Sequence, residues 1–308
     1  MTHEVKVSDD RILSVESWGD PVGEPVFLLH GTPGSRKGPR PRGIVLYRLG
    51  IRLLSYSRPG YPGSTRQFGR IVADAAHDVK AIADYFGIDR FSVVGRSGGA
   101  PHALACAALL NERVICTAAL SSLAPCDADG LDWNAGMAQS NVQAYHDAEV
   151  DLEALIAALN DRAGQVRKNP EGLLKLLWPE LVGHDKRAIG DMALRRIIAE
   201  VHTEALRDSV DGWIDDVLAM SRPWKVELSD IKTSVKLWSG SDDVFSPVSH
   251  TYWLAKQINT AHLEVEQGKA HFRSVEVLPR VLAWVAETAA GGQQPDRSVA
   301  MAGASIGL

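Results

Sequence analysis

A serine flanked by glycines stands where a predicted strand is followed by a predicted helix. Residues 90–94 are apolar and β-branched, as in a buried strand, and residues 100–110 have a helical composition. Between them lies Gly95-Arg96-Ser97-Gly98-Gly99. On so sharp a turn, neighbouring residues with a Cβ atom would clash, which explains the glycines. The turn lifts the serine hydroxyl clear of the sheet. It also places the serine at a helix N-terminus, whose free N–H groups favour an oxyanion formed on a substrate. The spacing therefore predicts Ser97 as a nucleophile, with an ordinary strand-to-helix turn as the alternative.

A serine nucleophile needs a base and a group that orients the base. A free hydroxyl is a poor nucleophile at neutral pH, and a histidine is suited to take its proton. His271 follows the last predicted strand, and Asp243 follows the strand before it. A carboxylate on the second ring nitrogen would fix the tautomer of the imidazole. Asp242 is the rival for this role, and Asp127 and Asp129 are more remote candidates.

The same chemistry needs two backbone donors for the oxyanion. The N–H of Gly98 directly follows the serine, and the loop His30-Gly31-Thr32-Pro33-Gly34-Ser35 follows another predicted strand. Thr32 N–H is predicted as the second donor, because Pro33 has no N–H to give. His30 is expected to orient this loop by hydrogen bonding. Taken alone, the loop is an ordinary Gly/Pro-rich connection.

Alternating strands and helices must position these residues. Residues 4–20 read as a hairpin, and helices are predicted at 43–49, 71–86, 248–257 and 274–287. The other strands are predicted at 24–30, 51–56, 90–94, 114–120, 234–240 and 262–266. This alternation predicts an α/β fold with a mostly parallel, doubly wound sheet. Each candidate residue follows a strand, so all of them should meet at one edge of the sheet.

The alternation stops between residues 123 and 222, where only helical composition is found. These residues are predicted to be a helical cap inserted into a core formed by 1–122 and 223–288, and the tail 289–308 is predicted to be disordered. Residues 127–222 carry 18 acidic and 10 basic side chains. We expect this acidic excess to form a solvated surface.

Composition excludes several classes of function. The chain has 308 residues and a net charge of −5, which gives no basic footprint for nucleic acid. No apolar run is long enough for a membrane span, and an N-terminal signal segment is lacking, so we expect a cytoplasmic protein. Three cysteines, Cys106, Cys116 and Cys126, have no metal-ligand spacing. No metal and no cofactor are predicted, because the glycines at 95, 98 and 99 form neither a dinucleotide nor a phosphate-binding motif.

With these motifs in place, the chain resembles the α/β-hydrolase fold family, in its branch with a helical cap, over about residues 4–288. The resemblance rests on His30-Gly31-Thr32-Pro33-Gly34, Arg58-Pro59-Gly60-Tyr61-Pro62-Gly63-Ser64, Gly95-Arg96-Ser97-Gly98-Gly99, Gly240-Ser241-Asp242-Asp243 and Gly268-Lys269-Ala270-His271-Phe272. It implies Ser97 as nucleophile, His271 as base and Asp243 as the orienting acid. Arg96 and Ser57 depart from the residues that many relatives carry at these positions.

The resemblance implies a serine hydrolase that acts on a small-molecule acyl substrate, an ester, lactone or thioester. Carbon–carbon bond hydrolysis, aminopeptidase action and biosynthetic acyl transfer or cyclisation use the same triad, and a non-catalytic ligand receptor is a further alternative. Serine at position 97 argues against an epoxide hydrolase or dehalogenase, which use aspartate there. Arg58, Arg96 and Arg273 flank the predicted site. They could bind a substrate carboxylate or form ion pairs that brace the loops.

Overall fold

A computed structural model describes residues 2–291 and shows one eight-stranded sheet with helices on both faces. The strands are β1 (Thr2–Lys6), β2 (Ile12–Gly19), β3 (Glu24–Leu29), β4 (Ile51–Tyr56), β5 (Phe91–Arg96), β6 (Val114–Leu120), β7 (Ser234–Gly240) and β8 (Ala261–Glu266). Their spatial order is β1-β2-β4-β3-β5-β6-β7-β8. Only the β1–β2 and β2–β4 pairings are antiparallel. The predicted α/β fold class is confirmed.

Twelve α-helices connect and cover these strands in the described part of the chain. They are α1 (Gly43–Arg48), α2 (Ala75–Tyr85), α3 (Gly99–Leu109), α4 (Gln139–Val150), α5 (Leu152–Lys168), α6 (Gly172–Leu177), α7 (Gly183–Gly190), α8 (Met192–Ala205), α9 (Asp211–Met220), α10 (Val248–Gln257), α11 (Arg273–Glu276) and α12 (Leu278–Ala289). Short 3₁₀ helices lie at Val72–Asp74 and Leu228–Asp230. None of the helices within residues 2–291 is both long and apolar enough to cross a membrane.

The central strands are apolar on both faces because helices cover both faces. In β3, Phe27 and Leu29 pack into the core beneath α2 and α3, whereas Val26 and Leu28 pack into the opposite core beneath α12. A strand buried on both faces has no polar side to alternate with, which explains its continuous apolar sequence. Helix α3 is buried along nearly its whole length, so it holds the serine turn rigidly against the sheet.

Helices α4–α9, here called the inserted helices, lie between β6 and β7 in the chain. The sequence predicts helices here at 152–159, 173–178, 188–202 and 214–220. These account for parts of α5, α6, α8 and α9 and for the last residues of α7, whereas α4 is not among them. Helix α4 and the start of α7 are short of apolar residues at helical spacing, so periodicity could not mark them. The domain boundaries at 122 and 223 stay a prediction. Most of the predicted tail lies outside the described residues, and Ala289 is the last residue of α12.

Candidate active site

The backbone at Ser97 is strained, and its glycine neighbours make that strain possible. Ser97 has a φ of 52°, a left-handed conformation that is uncommon for residues other than glycine. A methyl group on Gly95 would lie 2.3 Å from the carbonyl oxygen of Gly99. One on Gly99 would lie 2.2 Å from the carbonyl oxygen of Leu29. The two glycines therefore allow β3, β5 and α3 to approach closely enough to form the turn.

Three side chains from the ends of three strands form a continuous hydrogen-bonded chain. The Nε2 of His271 lies 3.0 Å from the Oγ of Ser97. The Nδ1 of the same ring lies 2.9 Å from Oδ2 of Asp243. With Nδ1 protonated and bonded to the carboxylate, Nε2 is the nitrogen free to accept the serine proton. The structure thus brings Ser97, Asp243 and His271 together in the order that nucleophilic catalysis requires.

The carboxylate of Asp243, and not that of Asp242, faces the histidine. Oδ1 of Asp243 also accepts hydrogen bonds of 2.9 Å from the backbone N–H groups of Phe245 and Ser246, and its side chain is fully buried. Asp242 instead lies 3.2 Å from Nδ1 of His184 on α7 and is 41% exposed. The remote candidates after β6, residues 127 and 129, are exposed.

Two backbone amides lie side by side next to the serine. A methyl group on Gly98 would lie 3.3 Å from the backbone nitrogen of Thr32, so both N–H groups border the same small space. Within residues 2–291, neither amide donates a hydrogen bond to another protein group. Unpaired donors beside a candidate nucleophile are suited to an oxyanion. Thr32 and Gly98 thus lie together beside Ser97, and their role as oxyanion donors stays a prediction.

The loop that carries Thr32 is fixed by His30 and Arg58. The Nδ1 of His30 lies 2.8 Å from the carbonyl oxygen of Gly31, and its Nε2 accepts a hydrogen bond of 3.1 Å from the backbone N–H of Arg58. Burial and the charge of Arg58 hold the pKa of His30 well below its ordinary value, so the ring is neutral. The Arg58 guanidinium also donates to the carbonyl oxygens of His30 and Gly31. His30 acts here as a structural residue.

A buried aspartate of the inserted helices joins this network. Asp216 on α9 accepts hydrogen bonds from the hydroxyls of Thr32 (2.5 Å) and Tyr61 (2.7 Å). It also accepts from the guanidinium groups of Arg58 (3.0 Å, from Nε) and Arg70 (2.7 Å). Burial alone would raise the pKa of the Asp216 carboxyl, but the two guanidinium charges hold it well below its ordinary value. Asp216 is therefore an anion whose charge is fully compensated.

A second buried aspartate holds the loop of the candidate base. Asp185 on α7 accepts hydrogen bonds from the backbone N–H groups of His271 (3.3 Å) and Phe272 (2.9 Å). Its side chain is almost fully buried, and burial raises the pKa of its carboxyl. The interpretation of the acidic insertion as a solvated surface is therefore wrong for Asp185 and Asp216. Both carboxylates instead connect the inserted helices to loops that border Ser97.

A sequence signal for Asp216 exists. Trp213, Asp216, Val217 and Met220 are spaced as one face of a helix, and all four line the same cavity. A carboxylate in an otherwise apolar stripe indicates a buried partner. Asp185 has no comparable signal, because α7 is mostly polar and its partners are backbone amides.

A cavity of about 120 Å³ lies above Ser97. Its wall combines the sheet edge with apolar side chains of the inserted helices, among them Leu173, Leu177 and Trp213. An engineered apolar cavity of about 150 Å³ binds benzene, so this space suits a small ligand. The cavity is the kind of enclosed, mostly apolar site that binds small molecules.

The three arginines that the sequence places near the site differ in their partners. Arg58 is paired with Asp216, and Arg273 is paired with Glu266 and a second glutamate on α11. Arg96 lines the cavity and has no carboxylate within ion-pair distance in the part of the chain that the structure describes. Burial lowers the pKa of Arg96 to about 10, so the guanidinium remains charged at neutral pH. The interpretation as an ion pair thus holds for two of the three arginines.

Comparison with known proteins decides the family. A family model described as the alpha/beta hydrolase fold matches residues 24–276. The chain belongs to the α/β-hydrolase fold family. The resemblance drawn from the sequence motifs is confirmed at this level, and membership of the family supports a hydrolase.

Solved structures that resemble this α/β hydrolase have low sequence identity. An enol-lactonase from Burkholderia xenovorans LB400 has a TM-score of 0.69 and 17% identity, over 94% of this chain and 100% of that chain. A thermophilic esterase from Thermogutta terrifontis has a TM-score of 0.66 and 16% identity, over 96% and 100% of the two chains. A curated proline iminopeptidase from Xanthomonas citri is 32% identical over 110 residues, 34% of this chain and 34% of that protein. The alignment thus spans about a third of the length of that relative, and its activity is not transferred with the fold.

No group of three or more histidine, cysteine or acidic side chains within residues 2–291 is arranged to hold a metal ion. Cys106 and Cys116 are buried, and Cys126 is partly buried.

Proposed function

We propose that this α/β hydrolase is a serine hydrolase that cleaves a carboxylic ester, lactone or thioester through an acyl-enzyme on Ser97. The observation that carries the proposal is the 3.0 Å approach of His271 Nε2 to Ser97 Oγ, with Asp243 on the other ring nitrogen. This arrangement supplies a nucleophile, a base and a group that holds the base in the required tautomer.

The proposed reaction has two halves. In the first, Ser97 Oγ attacks the carbonyl carbon while His271 Nε2 takes the hydroxyl proton. The amides of Thr32 and Gly98 stabilise the negative charge on the carbonyl oxygen. His271 then gives its proton to the leaving alcohol, thiol or ring oxygen, and the acyl group remains on Ser97. In the second half, a water molecule attacks the acyl carbon while His271 takes a proton from it. His271 then gives that proton to Ser97 Oγ as the acyl–oxygen bond breaks, so the free acid leaves and the serine hydroxyl is restored.

The cavity supports a substrate with a small acyl group. About 120 Å³ lined by leucine and aromatic side chains suits a short chain or a small ring better than a long fatty acyl chain. We propose that the inserted helices act as the cap over this cavity, since all of them except α7 supply residues to its wall.

The similarity to a proline iminopeptidase makes aminopeptidase action a candidate, but the charges near Ser97 argue against it. An α-ammonium group needs an anionic partner, and Asp216 is the carboxylate on the α9 wall of the cavity. That carboxylate already accepts hydrogen bonds from four side chains, including two guanidinium groups. Ester or lactone cleavage therefore fits the cavity better than peptide cleavage at a free N-terminus.

The test is intact-mass spectrometry after exposure to a fluorophosphonate, combined with turnover of short p-nitrophenyl esters. We expect a single adduct on the wild-type protein and on Ser140→Ala, a matched control that removes another serine of the same cavity. Ser97→Ala should lose both the adduct and ester turnover. A folded wild-type protein that takes up no label would contradict the proposal and favour the receptor alternative.

A further inference from the structure

The guanidinium group of Arg96 is held in place at one edge and free at the other. Its Nε donates a hydrogen bond of 2.7 Å to the Oγ of Ser274, and that hydroxyl in turn donates to the backbone carbonyl of His271. Among the described residues 2–291, Nη1 and Nη2 have no hydrogen-bond acceptor. The terminal edge of the guanidinium is therefore available to a ligand in the cavity.

Arg96 and the nucleophile border the same glycine. A methyl group on Gly31 would lie 3.3 Å from Nη1 of Arg96 and 3.4 Å from Cβ of Ser97. A ligand group bound to the free edge of Arg96 would thus be only a few bonds from a carbonyl carbon under attack by Ser97. This short separation limits the ligand to a compact molecule.

The positive charge of Arg96 is not compensated from within the cavity wall. Asp216 shares the wall, but its charge is taken up by Arg58 and Arg70. Arg162 of α5 also lines the cavity and has no ion pair within the described residues. The carboxylates of Asp243 and Asp185 act on Arg96 from beyond ion-pair distance. The terminal edge of the guanidinium has no paired anion inside the cavity, so an anionic ligand would be favoured there.

His202 on α8 adds a neutral polar group to the wall. Burial and the charge of Arg96 lower the pKa of His202 to about 4, so the ring carries no charge at neutral pH. Its Nδ1 is buried and has no hydrogen-bond partner in the described chain. Because Nδ1 is closed off from the cavity, His202 contributes an uncharged ring to the wall beside Arg96.

From these contacts we propose that the substrate carries a free carboxylate, which the Nη1 and Nη2 atoms of Arg96 bind while Ser97 attacks an ester or lactone carbonyl in the same molecule. A planar guanidinium edge matches the two oxygens of a carboxylate. The inference rests on the proposed hydrolase function and narrows it to half-esters and lactones of small dicarboxylic acids.

The test compares pairs of esters that differ only in charge. The acidic substrates are the monomethyl esters of succinate, glutarate and adipate. Each is paired with a neutral analogue in which the free carboxyl group is replaced by a carboxamide and the methyl ester is kept. The measured quantity is the ratio of kcat/KM for acid over amide. We expect a ratio of roughly 10 to 100 for the best chain length, as for a charge-assisted hydrogen bond. Arg96→Gln should bring the ratio close to 1.

Two control variants separate charge recognition from bracing of the histidine loop. Ser274→Ala removes the hydroxyl that anchors Nε of Arg96 and links it to His271, but it keeps the positive charge. It should lower turnover of both esters and reduce their ratio much less than Arg96→Gln does. Arg273→Gln removes a nearby guanidinium that is already paired with Glu266, and it should preserve the ratio. A ratio near 1 in wild-type protein, or one that survives Arg96→Gln, would overturn the proposal.

Binding to Ser97→Ala protein keeps the result independent of catalysis. Calorimetric titration with the same half-esters and carboxamides measures charge preference without turnover. The two proposals can fail separately. The hydrolase function fails if wild-type protein hydrolyses neither the half-ester nor its carboxamide and takes up no fluorophosphonate. The carboxylate site still stands if Ser97→Ala binds the half-ester at least roughly tenfold more tightly than it binds the matching carboxamide. Equal affinity for the half-ester and the carboxamide would contradict the proposed carboxylate site, whether or not fluorophosphonate labels Ser97.

Discussion

The hydroxyl of Thr32 donates a hydrogen bond of 2.5 Å to the carboxylate of Asp216. These residues are 184 positions apart in the chain, and they join the loop after β3 to the last of the inserted helices. Since the backbone N–H of Thr32 is the proposed oxyanion donor, the position of that donor depends on a side chain from the inserted helices. The proposed cap thus has a role in catalytic geometry as well as in forming the cavity wall.

This relationship predicts a difference between two substitutions of Thr32. Thr32→Val keeps the backbone N–H and the shape of the side chain but removes the bond to Asp216. We expect kcat to fall by about 10- to 100-fold with little change in KM, because a displaced oxyanion donor affects the transition state more than substrate binding. Thr32→Ser keeps the hydroxyl, so its kcat should fall much less than that of Thr32→Val. Steady-state kinetics on a p-nitrophenyl ester measures both, with circular dichroism to establish folding. Equal losses in the two variants would show that the hydroxyl does not position the loop.

Gly98 predicts a steric effect on the same donor. A methyl group at this position would lie 2.2 Å from Oγ1 and 2.8 Å from Cβ of Thr32. Because Asp216 holds that hydroxyl, the clash cannot be relieved without moving the loop, and we expect Gly98→Ala to lower kcat by about 100-fold or more.

Gly164→Ala is the matched control, since a methyl group there, inside α5, meets no atom within 4 Å. It should keep full turnover and raise the melting temperature slightly, because alanine favours a helix by about 1 kcal/mol over glycine. Unchanged turnover in Gly98→Ala would argue against the proposed oxyanion site.

The adjacent aspartates after β7 give a third prediction. Asp243→Asn retains an oxygen that can accept the amides of Phe245 and Ser246, so the fold should persist. It removes the carboxylate that fixes the His271 tautomer, and we expect kcat to fall by about 10⁴-fold. Asp242→Asn changes a half-exposed side chain that lies beside His184, and it should alter kcat by less than about twofold. Steady-state kinetics on the same ester distinguishes the two. A large loss in Asp242→Asn would reverse the assignment of the acid.

The parts of the fold that local pattern determines could be predicted from the sequence. Residues 24–30 and 114–120 are largely apolar because both faces of their strands are buried. The positions of Ser97 and His271 at strand ends follow from the same logic. Parallel strands bring their carboxyl ends to one edge of the sheet, so both residues are expected at that edge.

The partners that arrive from the inserted helices could not be predicted in this way. Asp185 and Asp216 bind loops that are distant in the chain. The apolar spacing around Asp216 indicates a buried face of α9, but it does not show which loops meet that face. The free guanidinium of Arg96 is equally hidden in the sequence, because Arg58 and Arg273 lie near the same edge and find acidic partners. Which arginine stays unpaired depends on tertiary contacts alone.

A last prediction concerns Asp78 on α2, which does not line the cavity. Its side chain is 2% exposed and lies 2.9 Å from the guanidinium of Arg11. Burial raises the pKa of Asp78 from 3.8 to about 6, against the opposing charge of Arg11. The folded protein therefore holds this proton more tightly than the unfolded chain.

The contribution of Asp78 to the free energy of unfolding should rise by about 1 kcal/mol as the pH falls from 7.5 to 5. Urea denaturation at the two pH values should show wild-type protein gaining this amount relative to Asp78→Asn. Asp84→Asn on the same helix is the control, because Lys80 lowers the pKa of the exposed Asp84 carboxyl and it stays ionised over this range. A difference between wild type and Asp78→Asn that does not change with pH would mean that Asp78 is ionised in the folded protein throughout.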